Sequence, residues 1–244
     1  GSDSNDGLTP STAWRTIAKV NSATFNAGDS ILFKRGETWR EQLTVPSSGS
    51  AGSPITFGAY GTGANWIING ADDLAGMEWT KYSGSKWQTP LTTEPHQVFF
   101  DGVRGTKVAS VANVTSDKNW FWAGNVLSIY SATAPGTAYS SIDASVRANA
   151  IIGAGGNKRY INVDSVEAMN TNDHGIDVNG NNYWTITNSV ARGAYKKGIS
   201  FNSATGTVIS YCTAYDNVGA TGGYSGIGAS GATTALISHC LIYS

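Results

Sequence analysis

Residues 160–182 read YINVDSVEAMNTNDHGIDVNGNN, and residues 183–205 read YWTITNSVARGAYKKGISFNSAT. Set one under the other, the two blocks fall into columns. Val163 stands over Ile186, Ala168 over Ala191, and Gly175-Ile176 over Gly198-Ile199. Ile209 then follows Ile186 by the same 23 residues that separate Ile186 from Val163. The next copy reaches Ile237 after a step of 28, and the Gly-Ile pair also steps by 28, from Gly198 to Gly226. The five extra residues therefore sit inside the third copy, around positions 218–224. A fixed period with insertions confined to one place marks a solenoid. Each copy holds two or three short β-rich runs, too short to bury a core alone, so the copies must stack.

In a parallel stack, equivalent residues on neighbouring coils lie about 4.8 Å apart. The apolar columns Val163/Ile186/Ile209/Ile237, Ala168/Ala191/Ala214/Ile242 and Ile176/Ile199/Ile227 are expected to point inward. Asn179, Asn202 and Ser230 form a polar column suited to a hydrogen-bonded ladder along the stack. Cys212 and Cys240 share an inward column. That spacing lies within reach of a disulfide, but two stacked, buried free thiols are the expectation, since free Cys behaves as a small hydrophobe.

The outward columns hold the candidate chemistry. Asp173 aligns with Lys196 and Tyr224, His174 with Lys197, and Asp177 with Ser200 and Gly228. Met169, Arg192, Tyr215 and Tyr243 form another outward column, with Asp216 beside it. One face is thus expected to gather two lysines, an arginine, a histidine, three aspartates and several tyrosines. The bland reading of Asp173 over Lys196 is a surface ion pair worth at most about 1 kcal/mol.

The rest of the chain supports the solenoid and bounds its partners. Gly is 30 of 244 residues, and the turn formers Asn, Ser and Thr are abundant, as a fold of short strands and many turns requires. Charged residues make up 14% and the net charge is −1, which leaves no electrostatic footprint for nucleic acid. No apolar run approaches the length of a membrane span. Asp3, Asn5 and Asp6 before Gly7 do not match a calcium-loop spacing and read as an Asx turn. Residues 11–24 predict a helix, with Trp14, Ile17, Ala18 and Asn21 on one face, that caps the open end of the core. Strands are predicted at residues 30–33, 42–45, 54–57 and 66–69.

Residues 71–147 do not fit the period. They carry half of the eight Trp residues and are predicted to form an inserted antiparallel β module, with Asp101-Gly102 as a hairpin turn. Its Trp side chains read either as a sugar-stacking platform or, preferably, as the core of a small module. The expected organisation is therefore residues 1–70 for the cap and first coils, 71–147 for the module, and 148–244 for further coils. The fourth copy stops just past Ile242 and Tyr243. Its open, apolar edge is expected to be covered by further chain or by another subunit.

The Asp-Ser-Asn-Asp-Gly-Leu-Thr-Pro opening at residues 3–10, followed by Ala-Trp-Arg-Thr-Ile at 13–17, resembles the N-terminal cap of secreted right-handed parallel β-helix proteins of the pectate-lyase-like superfamily. The Asn-Asp-His-Gly-Ile-Asp-Val and Lys-Lys-Gly-Ile-Ser-Phe coils resemble their repeat. The resemblance implies an all-β fold, a right-handed parallel β-helix with a capping helix and an antiparallel side module. It also implies a secreted protein that handles an extended polysaccharide.

Two chemistries compete. In a β-eliminating lyase, Ca²⁺ and cationic groups neutralise a uronate, and a Lys or Arg base removes the C5 proton. Asp173 and Asp177 are then the metal candidates, Lys196 and Lys197 the base candidates. In a glycoside hydrolase, two carboxylates flank the scissile bond, and Asp177 and Asp216 are the candidates. Arg192, His174, Tyr215, Tyr224 and Tyr243 are the candidate substrate-binding residues in either case. The cationic cluster tilts the sequence reading slightly towards a lyase. A non-catalytic glycan binder of tailspike or adhesin type is the third reading.

Overall fold

A computed structural model describes residues 1–219 and 226–243. The chain forms two compact units, residues 1–70 with 147–244, and residues 71–146. The first is a right-handed parallel β-helix of three sheets. The first sheet stacks Ser30–Lys34, Ile55–Tyr60, Arg159–Asp164, Asn182–Thr187, Val208–Ser210 and Leu236–Ser238. The second stacks Thr38–Trp39, Trp66–Asn69, Val166–Met169, Val190–Arg192, Thr213–Tyr215 and Leu241–Tyr243. The third, of two-residue strands, stacks Leu43–Thr44, Ile151–Ile152, Ile176–Asp177, Ile199–Ser200 and Ile227–Gly228. Residues 71–146 leave the coil after the second sheet, and Ile151–Ile152 resumes it in register between Leu43–Thr44 and Ile176–Asp177.

The columns read from the sequence are the registers of these sheets. Val163 pairs with Ile186, Ile186 with Ile209 and Ile209 with Ile237. Ala168, Ala191, Ala214 and Ile242 pair in turn, as do Ile176, Ile199 and Ile227. Through the middle coils these side chains are almost wholly buried, whereas in the last coil Ile237 is 44% and Ile242 50% exposed.

Each coil turns at left-handed corners. Ser165, Asn188, Tyr211 and His239 have φ of 51–59° between the first and second sheets. Asn170, Gly193 and Asp216 have φ of 51–64° after the second sheet. Asn, Asp and Gly tolerate this region, but a Tyr there costs roughly 1–2 kcal/mol. Tyr160 and Tyr183 carry that strain (φ 56° and 58°) at the corner before the first sheet, where their rings stack 4.8 Å apart and 5° from parallel. Gly206 takes the next place; a Cβ there would lie 2.6 Å from the Tyr183 ring.

The cap helix is shorter than expected, Ile17–Ser22 rather than 11–24. The Asp3 carboxylate explains the difference. It accepts hydrogen bonds from the Arg15 and Thr16 amides and from the Thr16 hydroxyl, which holds the chain extended up to the cap residue Thr16. Pro10–Thr12 forms a separate 3-10 turn. Glu41 accepts from the first helical amides, Ile17 and Ala18. The buried face is Ile17 and Val20; Ala18 is exposed. Leu8 N donates to Asp6 Oδ1, the Asx turn expected at the N-terminus.

The second unit contains a four-stranded antiparallel sheet and a five-stranded sheet that is antiparallel except where Thr106–Lys107 pairs with Asn119–Ala123. Asp101 and Gly102, both at positive φ, turn the hairpin between Val98–Phe100 and Val103–Arg104. Thr106–Lys107 is a two-residue strand, followed by the 3-10 turn Val111–Asn113. Trp120 is buried, and Trp79, Trp87 and Trp122 pack against the same core with their indole N–H groups donated to carbonyls. The core reading of these residues therefore describes them.

Candidate active site

The turn from the second to the third sheet, residues 170–175 in one coil and 193–198 in the next, carries most of the candidate residues. Backbone bonds between the coils hold these turns in register: Lys196 N donates to Asp173 O, and Gly175 N to Lys197 O. Asp173 and Lys196 are thereby stacked, with Lys196 Nζ donating to Asp173 Oδ2 at 3.0 Å. The other carboxylate oxygen, Asp173 Oδ1, lies 3.3 Å from His174 Nε2, is shielded from solvent and has no donor in hydrogen-bond geometry. His174 Nδ1 accepts the Lys197 amide at 3.2 Å, so the ring's own proton belongs on Nε2, facing Asp173. Burial pushes the His174 pKa below its usual 6.5, against the pull of Asp173 and Asp177.

Asp177 begins the next segment, on the outward face of the third sheet. Its Oδ1 accepts the Asn179 amide at 2.9 Å. Burial raises its pKa above 3.8, and the Asp173 charge adds to that, while His174 and Lys196 oppose it. Asp173, His174, Asp177 and Lys196 thus form one electrostatic cluster. Beside it the predicted polar ladder is present in a specific form. Asn179 Oδ1 accepts the Asn202 amide at 2.6 Å and the Ser200 hydroxyl at 3.0 Å, and Asn202 Oδ1 accepts the Ser230 amide at 2.8 Å. Lys197 Nζ lies 3.5 Å from Asn202 Oδ1, over the space that Gly228 leaves open.

The second outward column forms a separate patch on the second sheet. Arg192 pairs with Met169 on one side and Tyr215 on the other, and Tyr215 with Tyr243. Arg192 Nε donates to Glu167 Oε1 at 2.6 Å, and Nη2 to Met169 Sδ at 3.2 Å. The Tyr215 and Tyr243 rings stack 5.0 Å apart, so the face each turns to the other is occupied. Glu167 is the residue that sequence reasoning missed. Its own column is Val190, Thr213 and Leu241, which carries no charge, and its partner lies one coil up and two residues on. Strand alternation, which sets Glu167 and Met169 on the same face, was the available signal.

Asp216 occupies the exposed left-handed corner after Thr213–Tyr215. Tyr224 lies outside the described residues. Two of the three expected cations, Arg192 and Lys196, are held in ion pairs. Asp173 and Asp177 are the two carboxylates on which a calcium ion would draw. Such an ion takes about six to eight oxygen ligands, and Asp173 is engaged by Lys196 and Asp177 by an amide. Among the described residues no three His, Cys, Asp or Glu side chains converge on a metal position.

The fold has clear relatives among solved structures, although no family model and no curated protein matches the sequence. A structure of XylC in complex with xylose superposes with a TM-score of 0.73 at 15% identity, over 98% of this chain and 57% of that one. A glycoside hydrolase gives 0.64 at 9% identity, over 89% of this chain and 66% of the other. A rhamnogalacturonan lyase gives 0.50 at 14% identity, over 99% and 49%. The chain spans between about half and two-thirds of the length of these structures. Among the described residues no helix is long and apolar enough to cross a membrane. The architecture is that of a right-handed parallel β-helix, a fold shared here by a glycoside hydrolase and a rhamnogalacturonan lyase.

Proposed function

We propose that this chain acts on an extended polysaccharide outside the cell and cleaves it by hydrolysis at the Asp173–His174–Asp177–Lys196 cluster. The observation that carries the reading is Asp177. Its carboxyl group stands on the outward face of the third sheet, and burial keeps it protonated to higher pH than an ordinary aspartate. A general acid that protonates a departing glycosidic oxygen needs that property. Asp173 supplies the second carboxylate: Lys196 holds one oxygen, and the other, enclosed, faces His174 Nε2. His174, neutral at neutral pH, lies against Asp173 and feels the charge of both carboxylates.

The reading departs from the slight preference for a lyase drawn from the sequence. That preference rested on a cluster of unpaired cations, and Arg192 and Lys196 are both paired. The fold neighbours, which include both a glycoside hydrolase and a lyase, support carbohydrate as the substrate class but do not choose between the two reactions. One observation favours the lyase as a second reading: Lys197 reaches over Gly228 towards Asn202 and is in no ion pair among the described residues. A panel of neutral and uronate-containing glycans, assayed with and without calcium, separates the readings. Hydrolysis gives new reducing ends without ultraviolet-absorbing products. Unsaturated products mean elimination, and binding without turnover means a glycan-binding protein; either result rejects the proposal.

A further inference from the structure

The cap leaves an opening. A helix over residues 11–24 would lie across the end of the core, but the six-residue helix packs against Leu43–Thr44 at the edge of the third sheet. The edges of the first two sheets, Ser30–Lys34 and Thr38–Trp39, instead border a cleft of about 1120 Å³, whose far wall is the cap segment before the helix. Its floor is aromatic and fixed. Phe33 stacks on Trp66 at 4.1 Å, and Trp39 meets Phe33 edge-on at 5.3 Å. The Trp39 indole N–H is held by Arg15 O at 3.0 Å, which leaves the half-buried ring as an apolar surface.

The rim is polar. Asp3 and Glu41 are consumed by backbone amides near the helix. By contrast, Lys34 and Glu37 form a 2.9 Å pair with side chains 60% and 53% exposed, and Arg15 is exposed beside them. Among the described residues the strand Ser30–Lys34 pairs with Ile55–Tyr60 alone, so its other edge also presents backbone donors and acceptors.

We infer that this cleft is a second, non-catalytic glycan-binding site, which takes a short run of neutral sugar rings. The inference rests on the polysaccharide reading above. The carbohydrate C–H faces would lie on Trp39 and its hydroxyls on the Lys34–Glu37 pair, Arg15 and the strand edge, an apolar floor with few directed polar groups. The volume slightly exceeds the roughly 300–1,000 Å³ of a small-molecule site, which suits an oligosaccharide. The cleft lies at the first coil, and the Asp177 cluster is two strands further along the third sheet. An occupied cleft would hold one part of a long chain while another part reaches the cluster.

The test is titration of the Asp177→Asn protein with xylotetraose, followed by calorimetry and tryptophan fluorescence, with Lys34→Ala/Glu37→Ala added in a second protein. The expected result is saturable binding with a change in tryptophan emission, weakened by about fivefold or more, one hydrogen bond's worth, by the rim substitutions. The same rim substitutions in the otherwise native protein should leave turnover of short soluble glycans unchanged. Absence of binding, or binding indifferent to the rim substitutions in a protein of native stability, overturns the inference. Turnover by the native protein without cleft binding would reject the cleft alone. Cleft binding without any turnover would reject the hydrolase and leave the cleft standing.

Discussion

Replacing Asn179 by Ala tests the polar ladder that runs beside Asp177. The side chain works through its oxygen, which accepts the Asn202 amide at 2.6 Å and the Ser200 hydroxyl at 3.0 Å. Ser200 is fully buried. Removing the acceptor strands both donors, and a buried donor without a partner costs about 1–3 kcal/mol. The Asn202 amide is less enclosed and can recruit water, so the expected loss is about 2–4 kcal/mol. In a protein of this size that corresponds to a fall in melting temperature of about 5–15 °C. Asn179→Asp keeps the acceptor and should lose less than half as much, even with the added charge near Asp177. Urea denaturation gives the free energies, and hydrogen exchange at the Asn202 and Ser230 amides shows whether the loss starts in these coils. If Asn179→Ala loses under about 0.5 kcal/mol, or no more than Asn179→Asp, the ladder does not hold the coils together as argued.

Three further outcomes are expected. Burial lifts the Cys212 thiol from 9.0 to about 11, so alkylation should be slow in the folded protein. The stability this group contributes is present below pH 9.0 and lost as pH rises through about 11. Counting two free thiols after non-reducing unfolding checks the pairing. His174, with its pKa lowered by burial, contributes stability that is present above 6.5 and lost as pH falls through its folded value. His174→Gln should therefore flatten the fall in urea midpoint below pH 6.5. Glu167→Gln frees Arg192 from its 2.6 Å pair. It should lower stability by about 1–3 kcal/mol, the cost of leaving a partly buried charged donor short of its acceptor, while raising affinity for uronate-bearing glycans over neutral ones; a titration of both classes reads this.

The fold was legible because the solenoid writes its register into the sequence. Every coil must place an apolar side chain at the same point, so Val163, Ile186 and Ile209 recur at a constant step. The cap was less legible. Nothing in the local helical pattern of residues 11–16 shows that Asp3, far back along the chain, will capture the Arg15 and Thr16 amides. The same contrast holds at the site. Asp173, His174 and Lys196 could be brought together from their columns, because stacked turns keep them adjacent. Asp216 was read onto the same face from its column, but the column does not show the exposed left-handed corner it occupies. Pairing was hidden only in part. The Lys196 partner, Asp173, could be read from their shared column, whereas Glu167, which pairs with Arg192, stands in a different column on the coil below. Cys240 was expected to be buried with Cys212 but is only half-buried, because the last coil has no neighbour on its outer side among the described residues.

The claim at the centre is that Asp177 donates the proton to the leaving oxygen. The direct measurement compares Asp177→Asn with the native protein on two substrates, a natural glycan and an aryl glycoside of the same sugar whose phenol leaves without protonation. The account predicts a loss of about 10²–10⁴-fold on the glycan, the usual worth of a general acid, and turnover of the aryl glycoside close to native. Equal losses on both substrates, or no loss on the glycan, would contradict it.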